Sequence, residues 1–318
     1  MFRLIAALAA VLAAGIAQAQ QWPAKPVRVI VNVAPGGVAD VTARVIGARL
    51  TETLGQPFVV ENRAGGDGYI GFGEVVRAEP DGYTVLYSPG SAMMIAPHIV
   101  KRADLEPTKA LLPIVPTGRV SLYVITHPKV PVNNYAEFLA YAKANPGKLN
   151  YGSPGNGTSP HIATEVYARE AGVKLNHVPY KGAGPALKDL LGGVIDMMFD
   201  PGPGIAQAKG GKVKMIAIAG PKRHPDFPDV PTLEEHGIKG VDGGPHFAFY
   251  GPQGMPREAV DRLNREVIKV MQEPQVLERF RALAVDLADP MTPQQFAGYV
   301  RSEYDRYSRL IPTLGISQ

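Results

Sequence analysis

Residues 34–37, A-P-G-G, have the composition of an anion-binding turn. They follow a β-branched run at 27–33, and apolar residues recur at helical spacing from Val38 onward, which predicts a strand, a turn and a helix. The first N–H groups of such a helix have no acceptor within it, so they can bind a carboxylate. Asp40 lies in the first helical turn, where it either contacts the ligand or only caps the helix. On local sequence a turn that merely reverses the chain stays open as the alternative.

Three further loops also predict backbone donors and hydroxyl groups that could bind an anion. A strand at 58–60 runs into a glycine-rich loop at 62–68, and a strand at 83–87 ends in the polar turn 88–91. The unit at 149–161 again combines a strand, a loop of glycines and hydroxyls, and a helix start. Because parallel strands end at one edge of a sheet, we expect the loops after the strands at 27–33, 58–60 and 83–87 to meet in one crevice. Their candidate ligand-binding residues are Asn62, Gly65, Gly66, Ser88, Ser91, Ser153, Thr158, Ser159 and His161.

Other kinds of site are disfavoured by residue spacing. Residues 66–71 match the dinucleotide fingerprint G-x-G-x-x-G, but residues 62–65 separate them from the strand and no acidic residue lies near position 91. A hydrolase would need an activated nucleophile, yet the sequence has no G-x-S-x-G, and Ser159 and His161 are only two residues apart. The histidines have no i, i+4 pair and H-E-x-x-H does not occur, so neither a metal nor another cofactor is expected.

The N-terminal residues 1–19 have the pattern of a secretory signal peptide. Arg3 precedes an apolar stretch at 4–16, and A-Q-A at 17–19 fits the A-x-A cleavage signature. We therefore expect cleavage after Ala19 and a periplasmic location. The sequence contains no cysteine, which excludes disulfides and cysteine catalysis and leaves no residue for a lipid anchor.

The pattern of elements along the rest of the chain predicts an α/β protein. Strands alternate with short helices from residue 27 to residue 219, an order typical of parallel sheets. A late strand is expected at 246–251, followed by helices with apolar stripes between 260 and 310. The net charge is +4 and the basic residues are scattered, so no nucleic-acid partner is expected.

Several longer motifs resemble one family across nearly the whole chain. They are A-P-G-G-V-A-D at 34–40, V-E-N-R-A-G-G-D-G-Y-I-G at 60–71, P-D-G-Y-T-V-L at 80–86, Y-G-S-P-G-N-G-T-S-P-H at 151–161, V-P-Y-K-G-A-G-P-A-L-K-D-L-L-G-G at 178–193 and F-A-F-Y-G-P-Q-G-M-P at 247–256. In order and spacing these motifs are similar to those of the extracytoplasmic solute receptors of the tripartite tricarboxylate transporter family, also called Bug-type receptors.

The resemblance implies an α/β, two-lobed periplasmic binding protein fold of type II-like form, whose lobes are joined by two crossing strands. Lobe 1 would comprise residues 20–122 and 247–318, and lobe 2 would comprise residues 123–246. The resemblance further implies that lobe 1 holds a carboxylate of the ligand, mainly through backbone groups and ordered waters, with Ala34, Pro35, Gly36, Gly37 and Asp40. Lobe 2 would hold the distal part of the ligand with the 153–161 loop, Tyr180, Gly182 and Asp200.

The function implied by the resemblance is capture of a small organic acid by domain closure and its delivery to the permease subunits of a tripartite transporter, with the receptor expected to be a monomer. A periplasmic sensor that presents its closed form to a signalling partner is the alternative, and an exported hydrolase is less favoured. Dicarboxylates, tricarboxylates, aromatic acids and acidic amino acids all stay open as ligands. Three departures from the usual family pattern, Asp67, Ala96 and His246, bear on this choice.

Overall fold

The structure is a computed structural model that describes residues 22–65, 68–100, 106–220 and 222–316. The predicted signal peptide, the candidate site residue Gly66 and the departure from the family pattern at Asp67 lie outside the described residues. The strands are β1 (Val27–Val31), β2 (Phe58–Asn62), β3 (Thr84–Ser88), β4 (Leu111–Val120), β5 (Leu122–Thr126), β6 (Asn150–Ser153), β7 (Asn176–Pro179), β8 (Met197–Asp200), β9 (Lys214–Ala219), β10 (Phe247–Pro252) and β11 (Val285–Leu287). The helices are α1 (Val38–Leu54), α2 (Tyr69–Val76), α3 (Gly90–Met94), α4 (Pro107–Ala110), α5 (Tyr135–Ala144), α6 (Ser159–Ala171), α7 (Ala183–Leu191), α8 (Ile205–Lys209), α9 (Arg257–Met271), α10 (Pro274–Ala282) and α11 (Pro293–Leu310).

The first sheet has six strands in the order β11-β4-β10-β3-β1-β2. Strand β1 pairs in parallel with β2 and β3, so the loops after these three strands lie at one edge of the sheet, as predicted. Strand β10 instead pairs antiparallel with both β3 and β4. The expectation of parallel sheets therefore holds for β1, β2 and β3 and is wrong for β10 and β4. The reason is that β10 brings the chain back from the second sheet and enters the first one against the direction of β3.

The second sheet has five strands in the order β7-β6-β8-β5-β9, and β5 again pairs antiparallel with both of its neighbours. The chain passes from the first sheet to the second between β4 and β5, where Ser121 alone separates the two strands. It returns through residues 220–246 into β10. The Ser121 hydroxyl donates to Asp286 Oδ2 at 2.7 Å, which ties the first passage to β11. The lobe boundaries at 122/123 and 246/247 stay a prediction.

The sequence does not predict β4, although this strand lies between β10 and β11 inside the first sheet. Pro113, Pro116 and Gly118 interrupt its apolar pattern, and proline removes a donor from a sheet. The register against β10 shifts twice along this stretch, between Phe247 and Ala248 and between Phe249 and Tyr250. Such irregularities are where a strand tolerates proline, so tertiary pairing overrides the local signal.

Helix α1 packs its apolar face on the first sheet and thereby fixes the turn that precedes it. Ala43, Ile46 and Leu50 are fully buried, whereas Val41 and Val45, which belong to the apolar residues at helical spacing from Val38 onward, are half-buried. The buried face is therefore rotated slightly toward the small residues of the helix. Among the described helices, none has the length and apolar character needed to cross a bilayer.

Candidate ligand-binding site

A cavity of about 710 Å³ lies between the loops of the two sheets. Its volume falls in the range of small-molecule sites. From the first sheet it is lined by residues 33–39 and 89–91, with Val120, Phe247, Ala282 and Leu283. From the second sheet and the return passage it is lined by Pro154, residues 158–160, 181–185 and 201–203, Gly243 and Pro245. The cavity is therefore an interlobe cleft in which both lobes contribute walls.

Helices α1, α6 and α7 begin at this cavity. Their N-cap residues are Gly37, Thr158 and Gly182, and none of the three makes a side-chain capping hydrogen bond. Thr158 Oγ1 instead donates to the carbonyl of Gly155 at 2.7 Å. The first N–H groups of these helices therefore have no capping side chain, and the positive ends of the helix dipoles point toward the same space. This arrangement can bind an anion through main-chain groups.

The turn at 34–37 is held from behind by a polar network. Asp40 Oδ2 accepts the N–H of Gly36 at 2.9 Å, and Asp40 Oδ1 accepts from Arg44 Nε at 3.0 Å. Asn62 accepts from Arg44 at 2.8 Å and donates to the carbonyl of Val33 at 3.0 Å. Burial alone would raise the pKa of Asp40, but hydrogen bonds from Arg44, Gly36 and Asn62 hold it below its usual value. Asp40 is therefore an ionised support of the turn, and the Gly36 N–H that we expected to bind the ligand is already engaged.

Replacing Asp40 with alanine should lower ligand affinity by about tenfold and the free energy of unfolding by about 1 kcal/mol. The turn would lose the acceptor that orients Gly36, while the cavity wall would keep its composition. Calorimetric titration and thermal unfolding measure the two quantities. Arg44→Met, which keeps the bond between Asp40 and Gly36, is the control and should retain most of the affinity. A loss of stability with unchanged affinity would mean that Asp40 only caps the helix.

The 153–161 loop is held by a second buried cluster. Ser153 Oγ lies 2.7 Å from His177 Nε2, and His161 Nδ1 accepts the N–H of Gly157 at 3.1 Å. The two imidazole rings stack with centroids 4.0 Å apart. Burial lowers the pKa of His161 to about 3, with a further contribution from His177, and burial lowers the pKa of His177 to about 4. Both rings are therefore neutral at physiological pH, where His161 acts as a fixed acceptor and the two stacked rings pack against each other.

Three histidines, of which His161 is buried and His177 and His246 are half-buried, predict a pH dependence of stability. Burial also lowers the pKa of His246 to about 4, whereas it raises the pKa of Asp200 to about 6. An unfolded histidine binds a proton below about pH 6.5, so each of the three histidines makes the protein less stable as the pH falls toward 4. Asp200 acts in the opposite direction between about pH 4 and pH 6. Three groups outweigh one, so the free energy of unfolding should rise with pH across this interval.

His161→Asn should reduce this slope by up to about 1.4 kcal/mol per pH unit, because one proton fewer is taken up on unfolding. The asparagine amide oxygen can still accept the N–H of Gly157. Denaturant titrations measure the slope between about pH 4, the pKa of His177 and His246 in the folded protein, and about pH 6.5, the usual pKa of histidine. An unchanged slope would contradict a neutral buried imidazole at this position.

Tyr180 and Asp200 also support loops that line the cavity. Tyr180 donates its hydroxyl to Asp189 Oδ2 at 2.8 Å and so anchors the segment before α7. Asp200 Oδ2 accepts the N–H groups of Gly202 and Gly204 at 2.8 and 2.7 Å, which shapes the 201–204 turn. Burial raises the pKa of Asp200 although these two hydrogen bonds oppose the shift. Both side chains therefore form hydrogen bonds within the protein that shape the loops of the cavity.

The structure divides the sequence-predicted site residues into two groups. Those that line the cavity are Ala34, Pro35, Gly36, Gly37, Ser91, Thr158, Ser159 and Gly182. Those that the cavity lining does not include are Asp40, Asn62, Gly65, Ser88, Ser153, His161, Tyr180 and Asp200. Ser88, for example, is buried and donates its hydroxyl to the carbonyl of Pro89 at 3.1 Å. Most of the second group are polar side chains that bind the backbone of a cavity loop, because their own loops offer nearer partners than the cleft does.

Two of the three departures from the family pattern lie outside the lining. A Cβ on Gly157 would lie 3.6 Å from the Ala96 Cα, so Ala96 contacts the turn of the opposite lobe. His246 packs against Tyr299 with ring centroids 5.2 Å apart, while its neighbour Phe247 reaches the cavity. Asp67, the third departure, is outside the described residues.

Several lining residues were not predicted. Lys181 lies between the predicted residues Tyr180 and Gly182, so its position in that motif could have indicated that it lines the cavity. Leu283 follows α10 and carries no local signal, since only the docking of that helix brings it to the cleft. Prolines of several loops complete the walls, and their role appears only once the loops are assembled.

Known proteins with similar sequences identify the family. The family model described as the tripartite tricarboxylate transporter family receptor matches residues 42–316. The chain belongs to this receptor family. The receptor is 34% identical to the protein BugT of Bordetella pertussis over 323 residues, which cover 99% of this chain and 98% of BugT.

Solved structures confirm the predicted fold of the receptor. It matches the periplasmic binding protein BugD with a TM-score of 0.82 and 32% identity, over 93% of this chain and 99% of BugD. It matches an R. palustris protein solved with adipate with a TM-score of 0.85 and 29% identity, over 93% of this chain and 99% of the other. The tripartite tricarboxylate receptors are periplasmic solute receptors, and this receptor shares their two-lobed α/β fold.

Proposed function

We propose that this receptor captures a small carboxylate-bearing solute in the interlobe cavity by domain closure and delivers it to the membrane subunits of a tripartite tricarboxylate-type transporter. The observation that carries the proposal is the convergence of the N-termini of α1, α6 and α7 on one cavity. The adipate found with a related structure supports an organic acid as the ligand. The signal pattern at residues 1–19 supports export and cleavage after Ala19.

Main-chain binding suits a receptor that must release what it captures. Backbone N–H groups hold a carboxylate at a fixed place without a buried cation beside them, and lobe closure excludes water and strengthens these hydrogen bonds. We assign the carboxylate to the 34–37 turn and the start of α1, opposite the starts of α6 and α7. Micromolar affinity, about −8 kcal/mol, is sufficient for capture. Nothing in this cycle requires a bond to be made or broken, so the receptor is proposed to act without catalysis.

A thermal-shift screen of the mature protein against organic acids tests the proposal. A solute that is present at 100 times its dissociation constant should add about 2.7 kcal/mol to the free energy of unfolding and raise the melting temperature accordingly. Calorimetric titration of each hit then gives affinity and stoichiometry, and amides of the same acids are the control because they lack the carboxylate. If a broad panel of carboxylates leaves the melting temperature unchanged, the proposed function is wrong.

A further inference from the structure

The lining of the cavity contains one positively charged residue among residues that are otherwise mostly apolar. Within its lining, as far as the structure describes it, Lys181 is the single ionisable residue. The remaining side chains come largely from valines, Phe247, Leu283 and prolines of both lobes, and hydroxyls are contributed by Ser91, Thr158 and Ser159. Proline has no N–H, so these walls offer little to hydrogen-bond the middle of a polar solute.

Lys181 is exposed and its charge is uncompensated within the described part of the chain. No carboxylate of those residues lies within ion-pair distance of its ammonium group, in contrast with Lys209, which pairs with Asp226 at 2.6 Å. The carboxylate of Asp189 in α7 accepts a hydrogen bond from the hydroxyl of Tyr180, the residue before Lys181. A cation at the wall of a cleft, with no acid beside it, is available to an anionic ligand.

The backbone around Lys181 is fixed by bonds to the neighbouring loop. Tyr180 donates its N–H to the carbonyl of Ser153, and Gly182 donates its N–H to the carbonyl of Pro154, both at 2.9 Å. Gly182 has a φ of +121°, which favours glycine and lets the chain turn into α7. Lys181 is thus held next to the start of a helix, whose dipole adds to the positive potential there.

We propose that Lys181 binds a second negatively charged group of the solute, remote from the 34–37 turn, and that the receptor therefore selects organic dianions whose charged ends are joined by an apolar body. The inference rests on the proposed function, since it assigns the first carboxylate to the first lobe. A hydroxyl or amino substituent in the middle of the solute would give up its hydrogen bonds to water and find no partner on the apolar walls. Solutes with an unsubstituted body are therefore preferred.

Matched pairs of acids test this inference by calorimetric titration. The dicarboxylates glutarate, adipate, pimelate and suberate are compared with pentanoate, hexanoate, heptanoate and octanoate, which have the same lengths and one charge. The tightest dicarboxylate should bind at least about tenfold better than its monocarboxylate, and added salt should reduce this ratio. Lys181→Gln should weaken the dicarboxylate by about tenfold and leave the monocarboxylate unchanged, whereas Lys181→Arg should retain the preference.

Lys188→Gln is the matched control, because Lys188 is an exposed lysine of α7 that the cavity lining does not include. It should keep the wild-type preference. Equal affinity for the two series in the wild type, or an unchanged preference in Lys181→Gln, would overturn the inference. If other carboxylates from the broader screen bind but none of these dicarboxylates does, the inference fails and the proposed function stands. If no carboxylate of either panel binds, both fail.

Discussion

Replacing Gly37 with valine should lower the affinity of the receptor for its solute by about 100-fold or more while the fold stays intact. Gly37 is the N-cap of α1 and has a φ of −76° and a ψ of 167°, a conformation that any residue adopts. A Cβ at this position would meet only the Ala34 carbonyl oxygen, at 3.8 Å. The valine side chain would therefore stand in open cavity space in front of the first N–H groups of α1. Two lost hydrogen bonds to a carboxylate, at about 1.5 kcal/mol or more each, correspond to this loss.

Calorimetric titration and thermal unfolding of Gly37→Val and Gly37→Ala measure the effect as a graded series. Alanine should cause a smaller loss of affinity, since its methyl group obstructs less space. Gly36→Val is a poorer test, because the φ of +83° at Gly36 would add backbone strain to the obstruction. Native affinity in Gly37→Val, at an unchanged melting temperature, would show that the carboxylate is not held at this turn.

Replacing Gly243 with alanine should destabilise the protein by about 3 kcal/mol or more. A Cβ on Gly243 would lie 1.6 Å from the carbonyl oxygen of Val120, a distance that forces the backbone to move. Val120 is the last residue of β4, at the first passage between the sheets, and Gly243 lies in the return passage. The close approach of the two passages therefore depends on glycine, and both residues line the cavity.

The free energy of unfolding of Gly243→Ala is measured by chemical denaturation and compared with that of Gly298→Ala. Gly298 is exposed within α11, and a Cβ there would have no neighbour within 4 Å. The control should be neutral or more stable by about 0.5–1 kcal/mol, because alanine is the better helix former. If Gly243→Ala does not fold, its soluble yield and its sensitivity to proteolysis are compared with those of the Gly298→Ala control. A lower yield and faster proteolysis would report the same defect. Equal stability of the two variants would contradict the packing of the two passages.

Buried polar side chains support several loops of the cavity in the same way. Asp40 holds Gly36, His161 holds Gly157, and Asp200 holds Gly202 and Gly204, each through a main-chain N–H. These bonds fix glycine-rich turns that would otherwise be flexible, and preorganised loops lose less entropy when a ligand binds. The polar residues thus contribute to binding by positioning the backbone.

The sequence by itself determined the fold family, the edge of the first sheet where loops converge, and the backbone part of the site. Strand, glycine turn and helix are local patterns, and their order places unpaired N–H groups at a helix start wherever the helix finally packs. Residues 34–37, Thr158 and Ser159 are predicted for this reason, Gly182 is predicted from the resemblance to the family, and each lines the cavity.

Only the tertiary structure decided which way the side chains point and which residues form the walls of the cavity. Asp40 and His161 turn to their own loops because the nearest unsatisfied N–H groups are there. Lys181 and Leu283 are far apart in the sequence, yet they share one cleft. Such contacts depend on how sheets and helices dock, and no spacing within a single element encodes them.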